Sequence, residues 1–216
     1  MTEGTTMTDE TLSFEAEVGR LLDIVTNALY SDREIFLREL VSNASDACEA
    51  HRYYLLKQAE GDHSAVDYAI TIEADKDNNI IKISDNGIGM NREELIENLG
   101  KIASSGTARL VDQIKQSKTD GSSQMSEMIG QFGVGFYSAF MVADKVEVTT
   151  RKADEDQAYT WVSDGRSGYT IGEGKRKDHG TDIRLHLKDD ATELREKARI
   201  EHSIKNYSDK IALPIM

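Results

Sequence analysis

The chain has 216 residues, enough for one domain with a sizeable core, and no stretch resembles an interdomain linker. Its 39 acidic and 26 basic residues give a net charge of −13, which would repel nucleic-acid phosphates and anionic lipid. No apolar run approaches the ~18 residues of a membrane span, and the N-terminus lacks the features of a leader peptide. These properties argue against nucleic-acid and membrane partners and favour a cytoplasmic protein.

The first part of the chain is predicted to be helical after a short extended segment. Residues 1–10 are expected to form a flexible tail, and the alternation over residues 11–17 predicts a short strand or extended arm. Helical spacing follows over residues 21–30. Ser31 or Asp32 can then cap a second helix over residues 33–59.

The second helix carries a polar stripe. At about 100° per residue, Glu39, Asn43 and Asp46 fall in one narrow sector, while apolar residues cluster on another side. Cys48, the single cysteine, lies on the apolar side and is predicted to be a reduced core residue. The stripe is typical either of a solvated helix face or of the wall of a ligand pocket.

A hairpin follows, with strands around residues 68–72 and 80–83 joined by a turn at 77–79. It leads into the sequence Asp-Asn-Gly-Ile-Gly-Met at residues 85–90, after which Asn91 can cap a short helix. The carboxylate of Asp85 can accept a hydrogen bond from an exocyclic amine, and the glycines allow the backbone to approach a flat ring. The same sequence also suits an ordinary turn.

The middle of the chain is polar and rich in glycine. Residues 100–130 have little apolar content, which predicts a lid or mobile loop. The glycine cluster at residues 130–135 precedes a predicted helix over residues 137–142 and can direct backbone N–H groups toward phosphate. It matches neither a P-loop nor a dinucleotide fingerprint, and a glycine-rich hinge is the alternative.

The last third predicts an antiparallel meander of four strands, at residues 145–151, 158–163, 169–172 and 181–187. Thr181 begins the last strand and can donate its hydroxyl proton into a pocket, although a turn is the preferred interpretation of this motif taken alone. The basic run at residues 175–177 is predicted to be a solvated turn, and the five histidines lack metal-ligand spacing. A charged helix over residues 192–210 and the start of a connection to a further domain at 211–216 complete the chain.

Four segments together, at residues 39–47, 85–90, 130–140 and 179–182, resemble the N-terminal nucleotide-binding domain of Hsp90-type chaperones. This family belongs to a superfamily shared with DNA gyrase B, MutL and histidine kinases. The resemblance covers residues 12–214, nearly the whole chain. It implies an α+β fold of the Bergerat type, a two-layer α/β sandwich with helices on one face of a mostly antiparallel mixed sheet. The ATP-binding domain would cover residues 11–210, with its lid at about 100–130.

The resemblance also assigns roles to individual residues. Glu39 would be the general base that activates water, and Asn43 would coordinate Mg²⁺. Asp85 would accept the adenine amino proton, partly through water. The remaining nucleotide contacts would come from Asp46 and Ala47 on the helix, from Gly89, Met90, Asn98 and Thr181 around the base and ribose, and from Gly133, Val134, Gly135 and Phe136 at the phosphates.

Two departures from the family pattern affect the lid. Ser104 stands where members of the family usually have lysine, and residues 108–111 differ from the usual lid sequence. In this family an arginine from the following domain completes the active site.

The function implied is ATP binding and hydrolysis in a chaperone that couples lid closure and dimerisation to the folding of client proteins. ATP or ADP and Mg²⁺ would be the cofactors, and the partners would be client proteins, a middle domain and a second copy of the full-length chain. Turnover by the isolated domain would be very slow. A histidine-kinase ATP-binding domain and a non-hydrolysing nucleotide sensor are the alternatives.

Overall fold

The structure is a computed structural model that describes residues 9–14, 33–58, 66–100, 135–207, 211 and 213–216. The strands of this part of the chain are β1 (Glu10–Leu12), β2 (Ile70–Asp75), β3 (Ile80–Asp85), β4 (Ala143–Arg151), β5 (Ala158–Ser163), β6 (Tyr169–Glu173) and β7 (Gly180–Leu187). The helices are α1 (Ile35–Lys57), α2 (Arg92–Leu95) and α3 (Lys197–Tyr207). The predicted helix at 21–30 and the predicted lid lie outside the described residues.

The strands form one seven-stranded sheet in the order β1-β6-β5-β4-β7-β3-β2, and every pair of neighbours is antiparallel. A parallel bridge from Ile70 to Ile215 adds the C-terminal residues at the β2 edge. The helices pack on one face, where alternate strand residues such as Ile83, Val148 and Trp161 are fully buried. The predicted two-layer α/β sandwich with a mostly antiparallel sheet is confirmed.

The predicted four-strand meander is wrong for its last strand. Strands β4, β5 and β6 do form a meander, but β7 pairs with β4 and β3 instead of β6. The N-terminal strand β1 occupies the outer edge of β6, so β7 satisfies its backbone groups between two other strands. This placement brings the N-terminal end of β7 beside the C-terminal end of β3.

Helix α1 forms as its sequence predicts, from an apolar face that includes Ile35, Leu40 and the buried Cys48. It begins two residues later than expected, and its N-cap is Glu34, whose side chain makes no capping hydrogen bond. Burial of the apolar face therefore stabilises the helix start without help from a side-chain cap.

The hairpin of β2 and β3 and the short helix α2 are both confirmed. Asn91 caps α2 in a reciprocal capping box, because its side chain accepts from the Glu94 N–H while the Glu94 carboxylate accepts from the Asn91 N–H. A π-helical turn, Ile96–Gly100, extends α2. The segment predicted as a helix at 137–142 is a buried 3₁₀ helix, Gly135–Met141.

The predicted charged helix at 192–210 is broken into two pieces. A 3₁₀ helix, Asp189–Arg195, comes first, and α3 begins at Lys197 after the extended residue Glu196. The 3₁₀ helix buries Ala191 and Leu194, whereas Ser203 of α3 donates to the Glu34 carboxylate before α1. Both pieces contact the residues just before α1, since Asp190 pairs with Arg33, and the extended Glu196 between the pieces pairs with Lys76 in the hairpin turn.

Candidate functional site

A cavity of about 410 Å³ opens between α1, the loop after β3, the 3₁₀ helix Gly135–Met141 and the central strands. Its walls include many of the residues predicted to bind nucleotide: Asn43, Ala47, Asp85, Gly89, Met90, Asn98, Phe136 and Thr181. Most of the remaining lining is apolar: Leu40, Ala44, Ile83, Ile88, Leu99, Val148 and Ile183. An apolar cavity with a few converging polar groups is typical of a small-molecule site.

Asp85 and Thr181 meet at one end of this cavity because they are directly paired in the ladder between β3 and β7. Asp85 is only 7% exposed, and one of its carboxylate oxygens accepts the Gly87 N–H at 2.8 Å. The carboxylate is therefore a buried charged acceptor at the end of a largely apolar pocket, with the charges of Arg176 and Asp182 nearby.

Burial, with a smaller contribution from the nearby charge of Asp182, raises the pKa of Asp85 to about 6. Hydrogen bonds from Gly87 and the charge of Arg176 oppose this change in pKa without cancelling it. Burial makes the ionised form of this carboxyl group costly. A ligand that donates a hydrogen bond to it would stabilise the ionised form.

Thr181 belongs to a small hydroxyl network. The Thr150 hydroxyl donates to the Gly180 carbonyl at 3.0 Å, accepts the Met90 N–H at 2.9 Å and lies 3.1 Å from the Thr181 hydroxyl. Either hydroxyl can be the donor between Thr150 and Thr181. Thr181 also lines the cavity, so its hydroxyl lies where the predicted contact with a ligand would form.

The loop after β3 is held against α1 by its glycines. A side chain at Gly87 would lie 2.5 Å from the Ala47 backbone, and the Ile88 N–H donates to the Ala47 carbonyl at 3.0 Å. Gly89 has a φ of 67°, and a Cβ there would lie 1.9 Å from the Arg151 carbonyl oxygen. Both positions require glycine, so the loop can pass between α1 and β4 and place Met90 at the cavity.

The three residues of the polar stripe on α1, Glu39, Asn43 and Asp46, lie in different surroundings. Asn43 lines the cavity, whereas Asp46 is exposed and does not line it. Glu39 is 8% exposed, and one carboxylate oxygen accepts two hydrogen bonds from Arg38, at 3.1 and 2.8 Å. Glu39 also lies outside the cavity wall.

Glu39 borders the 3₁₀ helix that carries Phe136. A Cβ at Gly135 would lie 2.4 Å from the second carboxylate oxygen of Glu39, so the backbone of that helix packs directly on this side chain. Phe136 lines the cavity, while Gly135 does not. Gly133 and Val134 lie outside the described residues.

Sequence reasoning missed the role of Arg176. It was predicted to lie in a solvated turn, but its guanidinium donates to the Asp85 carbonyl at 2.6 Å and pairs with Asp182 at 2.5 Å. It also donates to the His179 carbonyl at 3.3 Å. Arg176 therefore holds the end of β3 and the start of β7 together at the Asp85 end of the cavity. Nothing in the local sequence distinguishes it from its neighbours Lys175 and Lys177.

Two further charged residues line the cavity and were also missed. Glu94 and Lys152 form an ion pair of 2.5 Å between α2 and the end of β4. They are separated by 58 positions in sequence, so no local pattern joins them.

The described residues contain no group of three or more histidine, cysteine, aspartate or glutamate side chains arranged to hold a metal ion. Among the same residues, no helix is long and apolar enough to cross a membrane.

Comparison with known proteins assigns the chain that forms this cavity to a family. The sequence profile of the "Histidine kinase-, DNA gyrase B-, and HSP90-like ATPase" family matches residues 21–169. The chain therefore belongs to this family of ATPases. It is also 52% identical over 206 residues to the chaperone protein HtpG of Roseobacter denitrificans, an alignment that covers 95% of the chain and 32% of the relative.

Other relatives are similar to the same degree. The chaperone protein HtpG of Rhodospirillum rubrum is 52% identical over 97% of the chain, and that of Rickettsia massiliae is 49% identical over 97%. The chain spans about a third of the length of these relatives, 32–33%. The predicted membership of the ATPase family that includes Hsp90-type proteins is confirmed, and the two alternative functions are not favoured.

Proposed function

We propose that this chain binds ATP or ADP with the base at the Asp85 end of the cavity, and that hydrolysis of bound ATP drives a chaperone cycle. The observation that carries this proposal is the buried carboxylate of Asp85 at the end of a largely apolar cavity, in a chain of the ATPase family. The exocyclic amine of adenine would donate to that carboxylate and offset part of its desolvation cost.

The rest of the base and ribose contacts would come from the loop and α2. Gly89 brings the backbone close to the ring plane, and Met90 and Asn98 line the adjacent wall, with the Asn98 amide 3.8 Å from the Met90 sulfur. Thr181 would hydrogen-bond to a bridging water beside Asp85 and so complete the network around the adenine amine. Ala47 would pack against the ring from the α1 side.

Mg²⁺ would be carried with the phosphates and not held by a preformed cage. Asn43 offers an amide oxygen at the cavity wall, and Mg²⁺ characteristically takes one or two protein oxygens together with phosphates and water. The donor set fits that mode of binding. Phe136 and the backbone at residues 133–135 would contact the phosphates. Asp46, at the outer end of the polar stripe of α1, would provide a further contact with the nucleotide.

Glu39 would activate the attacking water in hydrolysis. This role requires its carboxylate to face the γ-phosphate, and its contact with Gly135 places it beside the proposed phosphate-binding helix. Both hydrogen bonds from Arg38 go to one carboxylate oxygen, so the other oxygen, beside Gly135, would accept the hydrogen bond from the attacking water.

The role of Glu39 is tested by Glu39→Ala in the full-length chaperone that carries this domain. ATP turnover should fall by a factor of about 100 or more, because a general base is lost, while ADP affinity stays within about threefold. Glu49→Ala, an exposed carboxylate on the same helix, is the matched control. Unchanged turnover in Glu39→Ala would show that another group activates the water.

The wider cycle is also part of the proposal. Closure of the segment at residues 100–130 over bound ATP would promote dimerisation of the full-length protein and contact with its middle domain, and both would act on client proteins in the cytoplasm. The net charge of −13 supports the absence of nucleic-acid and membrane partners. Cross-linking of the full-length protein should detect a dimer that increases with ATP, and a strictly monomeric protein would contradict this part.

A further inference from the structure

The ion pair between Glu94 and Lys152 is a charged feature of the cavity wall that the proposed function does not use. The Lys152 ammonium lies 2.5 Å from one carboxylate oxygen of Glu94, and the side chains are 21% and 35% exposed. The other carboxylate oxygen accepts the Asn91 N–H at 3.0 Å, which fixes the Glu94 rotamer. The hydrogen bond to Glu94 raises the pKa of Lys152, so the ammonium is charged at neutral pH. A ligand in the cavity therefore meets a fixed donor and a fixed acceptor side by side.

The pair lies close to the end where the base is proposed to bind. Thr150 contacts Thr181 at that end, Lys152 follows two residues later in the chain, and Lys152 and Thr181 line the same cavity. The residues on both sides of Lys152 touch the loop, because the Arg151 carbonyl packs on Gly89 and the Ala153 N–H donates to the Ile88 carbonyl at 2.9 Å. If the base of a nucleotide binds at Asp85, the group covalently attached to that base would lie within reach of Glu94 and Lys152.

The charges of the pair select the kind of group that fits. An ammonium has three donors, of which Glu94 uses one, and each carboxylate oxygen keeps a free lone pair. The two charges cancel, so a phosphate attracted by Lys152 would be repelled by Glu94. A neutral group that both donates and accepts suits the pair better, and a vicinal diol has two such hydroxyls. We propose that Glu94 and Lys152 recognise the ribose hydroxyls of the nucleotide and make the site selective for ribonucleotides.

This inference rests on the proposed function, since it takes the base to lie at Asp85. The ion pair could serve only to hold α2 against the end of β4. A second side-chain contact, however, already joins these two segments. The Asn91 amide donates to the Glu155 carboxylate at 2.9 Å, linking the same two segments, and neither residue lines the cavity. The second contact provides a control that alters the same junction without touching the cavity.

The test compares binding of ADP with binding of 2′,3′-dideoxy-ADP, both with Mg²⁺, by calorimetry on the 216-residue chain. The wild type should bind ADP roughly tenfold more tightly, as expected for hydrogen bonds to charged groups. The double variant Glu94→Gln with Lys152→Met should bind the two nucleotides within about twofold of each other. Glutamine retains the capping box and methionine retains the apolar stem, so the fold is preserved. Glu155→Ala, which removes the acceptor for the Asn91 amide, should keep the tenfold preference.

Each remaining outcome has a definite meaning. Equal affinities in the wild type, or a tenfold preference that survives in the double variant, would overturn the assignment of the pair while leaving the proposed function intact. Loss of the preference in Glu155→Ala as well would show that the junction, not the pair, sets the preference, and would also overturn the assignment. Failure of the wild type to bind either nucleotide would overturn the proposed function, and this inference with it.

Discussion

Replacing Asp85 by asparagine should make the nucleotide-free domain more stable while removing nucleotide binding. The carboxylate is buried at the end of the cavity, and burial raises its pKa from 3.8 to about 6. The folded state therefore holds a proton that the unfolded state has lost between these two pH values, so the free energy of unfolding decreases as pH rises through that range. Asparagine carries no charge and avoids this cost.

The size of the effect follows from the change in pKa. Two pKa units correspond to about 3 kcal/mol, which is the upper limit of the gain above pH 7. At pH 5 about half of that gain remains, and it vanishes near pH 3.8. The weaker hydrogen bond from the Gly87 N–H to a neutral amide will reduce the gain by about 1 kcal/mol.

Urea unfolding of wild type and Asp85→Asn at pH 5 and pH 7.5 measures this difference directly. The exposed Asp154→Asn serves as the control for removing one negative charge from a chain of net charge −13. A variant that is no more stable than wild type at pH 7.5, or whose advantage does not depend on pH, would refute the reasoning about desolvation. Calorimetry with ADP should show lost binding in the same variant.

Two other substitutions test how the Asp85 end is built. Gly89→Ala should lower the free energy of unfolding by more than about 1 kcal/mol, because alanine is strained at a φ of 67° and its Cβ would overlap the Arg151 carbonyl; urea unfolding that matches wild type would contradict this. Arg176→Met should cost about 2 kcal/mol and weaken ADP binding, since it frees the buried Asp85 carbonyl, whereas the exposed Lys177→Met should change neither; equal effects in both would show that Arg176 acts only as a surface charge.

Local chemistry predicted much of the fold. The polar stripe of α1, the hairpin and the N-cap at Asn91 all depend on residues within a few positions of one another, and each formed where its spacing indicated. The placement of β7 depends instead on competition for strand edges far apart in the chain, which the succession of strands does not reveal. The same contrast between local patterns and long-range contacts explains which residues of the candidate site could be predicted from the sequence.

Asp85 was found from the motif around it, but its partnership with Thr181 required the pairing of β3 with β7. Arg176 and the pair of Glu94 with Lys152 were missed because their roles come only from contacts between distant segments. The exposed position of Asp46 likewise depends on how α1 is rotated against the sheet.

The central claim is that the buried carboxylate of Asp85 recognises adenine. Guanine has a carbonyl oxygen where adenine has its exocyclic amine, so it would place an acceptor against the carboxylate. Calorimetric titration of the 216-residue chain with ADP and with GDP, each with Mg²⁺, tests this directly. Saturable binding of one ADP per chain and at least about a hundredfold weaker binding of GDP are predicted. Equal affinity for the two nucleotides, or no binding of ADP, would contradict the account.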